Sequence, residues 1–315
     1  MNSRASIRNA YGNALLTLGA SREDVVVLDA DLSTSTKTSM FAKKYPNRFF
    51  NIGIAEQNMM GIAAGMALDG RIVFASTFAV FGAGRAYDQV RQSIAYPKLN
   101  VKVVVTHGGI TVGGDGASHQ MIEDLGLMYG LPNMNILVPV DANETYNAIL
   151  AIADINGPFY VRLTRMDPYL LTESTDKFDL NDIPLLREGE DIAIVSTGHV
   201  ASRALEATEI LKKEGVSTAV YNLHTIKPLN KTKIMDIAKK YGAIVTVEEH
   251  NVNTGIGSVI SSVLAEEYPT YVIKTGIHDV FGESGDPDKL LDKYGIAVKD
   301  IVNAVKKAIE KRDKK

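Results

Sequence analysis

The feature that most constrains this chain is an alternation of short β-branched runs with helical patterns, which stops once and then restarts. In the first half the runs are VVVLDA (25–30), RIVFAS (71–76), VKVVVTH (101–107), NILVPV (135–140) and FYVRL (159–163). Helical periodicity fills the intervals near 4–18, 55–68, 79–95, 119–129 and 142–155. Strands separated by helix-length segments cannot pair through tight hairpins, so the pattern predicts an α/β fold with a mostly parallel sheet. Residues 166–190 then hold two prolines, many acidic and polar residues and no sustained period, which reads as an interdomain linker. Beyond it, runs at 191–197, 217–223, 242–249 and 270–276 alternate with helical patterns at 200–214, 230–240, 255–267 and 297–311. The expectation is two α/β domains, 1–165 and 191–315, each with a mostly parallel sheet flanked by helices.

Length and composition narrow the function classes. A chain of 315 residues with 45% apolar content can bury two ordinary cores. The net charge of −3 gives no basic footprint for nucleic acid or an anionic membrane. No apolar run reaches the ~18 to 20 residues of a membrane span, and the start MNSRASIRNAYG has no signal-peptide core. With no cysteine there is no disulfide, thiol nucleophile or thiolate metal site. A cytoplasmic protein is expected.

The densest polar cluster is THGGITVGGDGASHQ, residues 106–120, with five glycines, Asp115, His107 and His119. It follows a strongly β-prone run, and ligands of open α/β sheets sit at the carboxyl ends of strands. Its glycines let backbone approach a ligand closely. Two histidines in one such loop point to function rather than packing. Their spacing with Asp115 fits no short helical zinc motif, and no metal site is assigned. A second stretch, GIAEQNMMGIAAGMA (53–67), places Glu56 before a helical apolar face at Met59, Ile62, Ala63 and Met66. On this motif alone, charge complementing the helix dipole is the preferred reading, and a carboxylate sheltered for proton chemistry the alternative.

In STFAVFGAGRAYDQVR (76–91), Phe78 and Phe81 are three apart on one side of a starting helix. Such a pair is ordinary core, or a platform for a flat heteroaromatic ligand. Arg8, Ser35, Arg162 and Arg165 are anion-binding candidates, Ser35 through a hydroxyl placed at a helix N-terminus after DADLS, although each taken alone reads first as a surface residue. TGIGSVI (254–260) lacks the third glycine of a dinucleotide fingerprint and reads as a tight strand-to-helix connection.

In order and spacing these stretches, with VLDADLS (27–33), FASTFAVF (74–81), LPNMNILVPVDANE (131–144) and HDVFGESG (278–285), resemble the transketolase family over nearly the whole chain. The resemblance is to the C-terminal portion only, the pyrimidine-binding domain followed by the C-terminal domain. It implies that Glu56 contacts N1′ of the aminopyrimidine of thiamine diphosphate, that Phe78 and Phe81 pack against that ring, and that Asp31 joins the cofactor contacts. It further implies that His107 and His119 are active-site histidines, that Asp115 reads a substrate hydroxyl, and that Arg165, Arg8 and Ser35 hold a sugar phosphate. Where many transketolases carry a further aromatic, this chain has Gly84.

The implied activity is transfer of a two-carbon ketol unit between ketose and aldose phosphates. A 1-deoxyxylulose-5-phosphate synthase-like half, a 2-oxo acid dehydrogenase β-type subunit and a non-catalytic relative are the alternatives. GDG at 114–116 followed by Asn143 imitates the Mg²⁺-diphosphate motif of thiamine enzymes, but DANE (141–144) reads as a helix start capped by Asp141 with Glu144 completing a capping box. The resemblance places the diphosphate and Mg²⁺ on a separate N-terminal domain, so they are expected on a second polypeptide. With Met1 only seven residues before Arg8, the chain reads as one subunit of a split enzyme assembled from two copies of each chain.

Overall fold

The structure is a computed structural model that describes residues 3–314; residues 1, 2 and 315, at the outer ends of the two expected domains, lie outside it. The chain forms two mostly parallel sheets flanked by helices, the architecture its alternation predicts. The first sheet is built from β1 (Val25–Asp29), β2 (Phe49–Asn51), β3 (Ile72–Phe78), β4 (Val101–Thr106), β5 (Asn135–Leu137) and β6 (Phe159–Arg162). The second uses β7 (Leu185–Arg187), β8 (Ile192–Ser196), β9 (Thr218–Asn222), β11 (Ala243–Asn251) and β12 (Tyr271–Ile277). One strand crosses over: β10 (Thr225–Lys227) pairs antiparallel with β5 and extends the first sheet to the order β10-β5-β6-β4-β3-β1-β2. In the second sheet, ordered β12-β11-β8-β9-β7, the short β7 comes from the stretch read as a linker and pairs antiparallel with β9.

Every residue of β1, β3, β4 and β6 is buried, which is what central strands covered by helices on both faces require. Even Lys102 on β4 is fully buried; its Nζ donates to the Ile155 and Gly157 carbonyls at 2.7 and 2.8 Å. Strand order reverses at β1, with β2 on one side and β3 on the other. Such a switch point opens a crevice beyond the carboxyl ends of the strands.

Several local expectations shift in detail. The first helix runs Ile7–Ser21, starting three residues later than its periodicity suggests, because the Ser6 side chain caps it by accepting the Asn9 N–H. The segment 119–129 is helical only over Asp124–Tyr129; before it, Gly108 and Gly109 bridge to Met121 and hold the glycine-rich stretch as a loop. The segment 79–95 is not a plain α-helix. Val80–Arg85 and Val90–Ala95 are π-helical turns, with bonds such as Ala86 N–H to the Phe81 carbonyl at 3.1 Å. Gly82 lets this wide helix lie close to the sheet, since a Cβ there would sit 2.7 Å from Val105 Cγ1.

Around 141–144 the cap forms with one change of partner. Asp141 accepts the Glu144 N–H at 2.9 Å, whereas Glu144 reaches back one residue further than a capping box, to the Val140 N–H at 2.6 Å. Asp141 also takes the N–H groups of Leu171 and Thr172, so this helix start anchors the chain as it leaves the first sheet.

The two sheets share a buried apolar cluster that joins Met121, Met128, Ile136 and Tyr160 to Leu223, Ile234 and Ile256. A buried polar network crosses the same junction. Arg162 pairs with Asp124 at 2.8 Å and donates to the carbonyls of Met121 and Glu249. Glu249 accepts the Thr111 N–H and meets His199 Nε2, each at 2.7 Å. The second sheet thereby fixes the loop that follows β4.

Candidate active site

Glu56 is the first residue of the helix Glu56–Leu68 and is 2% exposed. An anionic side chain there gains from the helix N-terminus, and burial excludes water from it. Its two oxygens take Arg85 from 29 residues along the chain, at 3.0 and 2.9 Å. The Arg85 guanidinium lies over the Phe81 ring, 4.4 Å from the centroid. Phe81 stacks on Phe78 with 6.0 Å between centroids and 14° between planes. Phe78 in turn stacks on His107 at 3.8 Å and 25°, and His119 meets the Phe81 edge at 5.5 Å. Contacts thus run without a break from Glu56 through Arg85, Phe81 and Phe78 to His107, with His119 at the Phe81 edge. Arg85 is the member that the sequence left unassigned.

These residues stand at strand ends. Phe78 ends β3 and His107 follows β4. His107 has φ of +62°, a left-handed conformation uncommon outside glycine, and its Nδ1 bonds Thr106 Oγ1 at 2.8 Å. Burial lowers its pKa to about 3, helped by the charges of Arg8 and Arg165 and by His119. The imidazole is therefore neutral at physiological pH and bound to a fixed donor-acceptor partner.

Farther out, Asp115 and Arg165 face each other at 3.7 Å, both about two-fifths exposed. Arg165 also donates to the Val112 carbonyl. Arg8 is half-buried, with its pKa lowered by burial and by neighbouring Arg165, and its Nε is buried without a partner. Two guanidinium groups close enough to act on one another, one with an unused donor, suit an anion.

Residues 3–169 match the family described as "Transketolase, pyrimidine binding domain", and residues 182–301 match "Transketolase, C-terminal domain". The chain belongs to the transketolase family. It is 46% identical over 308 residues to a protein of Methanocaldococcus jannaschii provisionally named transketolase C-terminal section, covering 97% of this chain and 96% of that one. It is 37% identical to the 6-deoxy-6-sulfo-D-fructose transketolase subunit SqwH of Clostridium sp. strain MSTE9, over 98% of this chain and 95% of the relative. A solved structure described as a split gene transketolase, inactive beta4 tetramer, superposes with a TM-score of 0.92 at 49% identity, covering 98% of this chain and 99% of the other.

Other expected residues of this transketolase-family chain are placed differently. Asp31 follows β1 with φ of +64° and exchanges hydrogen bonds with Asn51, both at 3.0 Å. Ser35 lies inside the short helix Ser33–Thr36, whose N-cap is Leu32, so its hydroxyl does not cap a helix; its carbonyl receives Arg8 at 3.2 Å. Arg162 is 6% exposed and committed to Asp124, so it has no face for an anion. Asn143 donates to the Thr172 carbonyl at 2.7 Å, away from any joint site with Asp115. At TGIGSVI the helix N-terminus is already filled: Glu248 accepts the Ile256 and Gly257 N–H groups at 2.7 and 3.0 Å. A side chain on Gly255 would run into that carboxylate, which explains the glycine without a nucleotide.

Among the described residues no group of three or more His, Asp or Glu side chains is arranged to hold a metal ion. None of their helices is long and apolar enough to cross a membrane. The residues do fit the aminopyrimidine end of thiamine diphosphate. A planar, nitrogen-bearing group already lies on Phe81 and donates to Glu56, and it belongs to the chain itself.

Proposed function

We propose that this chain is the C-terminal subunit of a split, thiamine diphosphate-dependent transketolase acting in the cytoplasm on sugar phosphates. The observation that carries this reading is the buried carboxylate of Glu56, joined through Arg85 to the Phe78–Phe81 stack, with His107 stacked on Phe78. When bound, the cofactor supplies the carbon nucleophile that takes up the two-carbon unit. Glu56 holds a shared proton at N1′ of the aminopyrimidine, and the two phenylalanines orient that ring and keep water from it. His107, neutral and fixed by Thr106, hydrogen-bonds a substrate oxygen, and His119 beside it accepts and returns the proton. Asp115 accepts a hydrogen bond from a substrate hydroxyl, and Arg165 with Arg8 grips the terminal phosphate and so orients the sugar. Asp31 and Ser35 support the site through backbone and Asn51 contacts.

The diphosphate and Mg²⁺ are assigned to a partner chain that carries the N-terminal diphosphate-binding domain. Arg85, Asp115 and Arg165 are each two-fifths to one-half exposed, an open rim that such a partner would close. Two copies of each chain would form the working heterotetramer. The test is to mix the chain with its partner, thiamine diphosphate and Mg²⁺ and to supply xylulose 5-phosphate and ribose 5-phosphate. Sedoheptulose 7-phosphate is the expected product. Its absence together with turnover of pyruvate would contradict the reading.

A further inference from the structure

We infer that Arg85 is a resident stand-in for the cofactor's aminopyrimidine and controls access to Glu56. The inference rests on the proposed role of Glu56. A guanidinium and an aminopyrimidine share the relevant chemistry: both are planar, delocalised and rich in nitrogen, stack on aromatic faces and present N–H groups to a carboxylate. Arg85 uses every one of these features here. Its guanidinium lies 4.4 Å from the Phe81 centroid, and its Nη1 reaches both Glu56 oxygens at 3.0 and 2.9 Å. A ring cannot take the same carboxylate and the same aromatic face while Arg85 keeps them.

The local sequence makes the exchange feasible. Arg85 ends a π-helical turn and its side chain is 48% exposed, so it has solvent to swing into. Gly84 beside it is exposed, and a Cβ built there would meet nothing within 4 Å. Glu56, by contrast, is 2% exposed and cannot follow the guanidinium outward. A buried carboxylate left without a partner is costly, so Arg85 leaves when another donor takes its place. Arg85 thus keeps the lone subunit closed to the ring and yields to a cofactor that is held at its other end as well.

Calorimetric titration of the isolated full chain with 4-amino-5-hydroxymethyl-2-methylpyrimidine, the cofactor's ring alone, tests this. Arg85→Ala should bind the ring at least tenfold more tightly than the wild type, and Arg85→Lys should fall between them. Millimolar guanidinium should restore the block in Arg85→Ala by competing for the vacated place, which a merely structural role for Arg85 does not predict. Equal or weaker binding by Arg85→Ala, including no binding by either chain, would overturn the inference. Adding Glu56→Gln to Arg85→Ala should remove the gain. If it leaves a gain intact, the assignment of Glu56 itself fails, and the two failures are told apart.

Discussion

The His107 imidazole lies face to face with the Phe78 ring, 3.8 Å between centroids and 25° between planes. The contact puts the imidazole in an apolar stack while Arg8 and Arg165 add positive charge nearby, and together these lower its pKa to about 3. His107 therefore titrates far below the ordinary histidine range. In a proton NMR titration its ring signals should not move between pH 8 and pH 5. A midpoint near 6.5 would show that the stack and the two arginines do not act on it. An acid limb in the activity profile above pH 5 must then come from another group.

Lys102 gives a pH-dependent stability that can be isolated by substitution. Burial lowers its pKa to about 7, from 10.5 for the ordinary side chain. Below about pH 7 the folded and unfolded chains both carry the proton, and the full cost of burying the charge is present. Between about pH 7 and 10.5 the folded state sheds the proton first, so stability rises with pH. Lys102→Met removes this term. Relative to the variant, the wild type should gain up to about 1.4 kcal/mol per pH unit across that window in urea unfolding. Parallel curves for the two proteins would contradict the assignment.

Arg162 and Asp124 form a fully sequestered pair, 7% and 0% exposed in their side chains. Removing one partner strands the other charge. Arg162→Met should cost about 3–5 kcal/mol in equilibrium unfolding. Arg162→Met combined with Asp124→Leu should recover part of that loss, because Asp124 is no longer a stranded charge, although Tyr160 and the Met121 and Glu249 carbonyls still lose their partners. A double-mutant cycle with no coupling would show that the two charges do not act as a pair.

Gly109 stands at φ of +87°, and a Cβ there would run into the Glu249 carboxylate. Glu249 also carries the Thr111 N–H and His199, so displacing it loosens the loop that holds His107. Gly109→Ala should destabilise the chain by about 1–3 kcal/mol, from left-handed strain and overpacking together. The check is its urea midpoint, and an unchanged value would contradict the contact.

The long elements of the fold could be read from the sequence because β1, β3, β4, β6, β8, β9 and β11 are β-prone runs that are almost wholly buried, while β12, partly exposed, still shows its β-branched residues. The three missed strands, β2, β7 and β10, are three residues each. They exist through pairing with β1, β9 and β5, a tertiary circumstance that leaves no period in so short a run. The π-helical turns were hidden for a related reason: Gly82 and its close approach to Val105 matter only once the helix lies on the sheet. At the site, the two histidines stood out by residue type and loop context, whereas Glu56 and the aromatics read on their own as helix-dipole charge and core and were singled out only by the family resemblance. Arg85 did not stand out, since its partner is 29 residues away and its place over Phe81 depends on the turn that joins them. Arg162 misled in the opposite direction, because a guanidinium suited to an anion ligand suits a buried aspartate equally well.

The central claim, that Glu56 does proton chemistry for a cofactor whose other end a partner chain holds, meets its most direct test in one substitution. Glu56→Gln keeps the size and shape of the side chain, replaces one acceptor oxygen with an N–H donor and removes its charge. Two-carbon transfer by the reconstituted pair should be measured for this variant and the wild type, with assembly followed by size-exclusion chromatography and light scattering. The account predicts a fall of at least about 100-fold in kcat with the assembly intact. Turnover within a few-fold of the wild type, in an intact assembly, would contradict it.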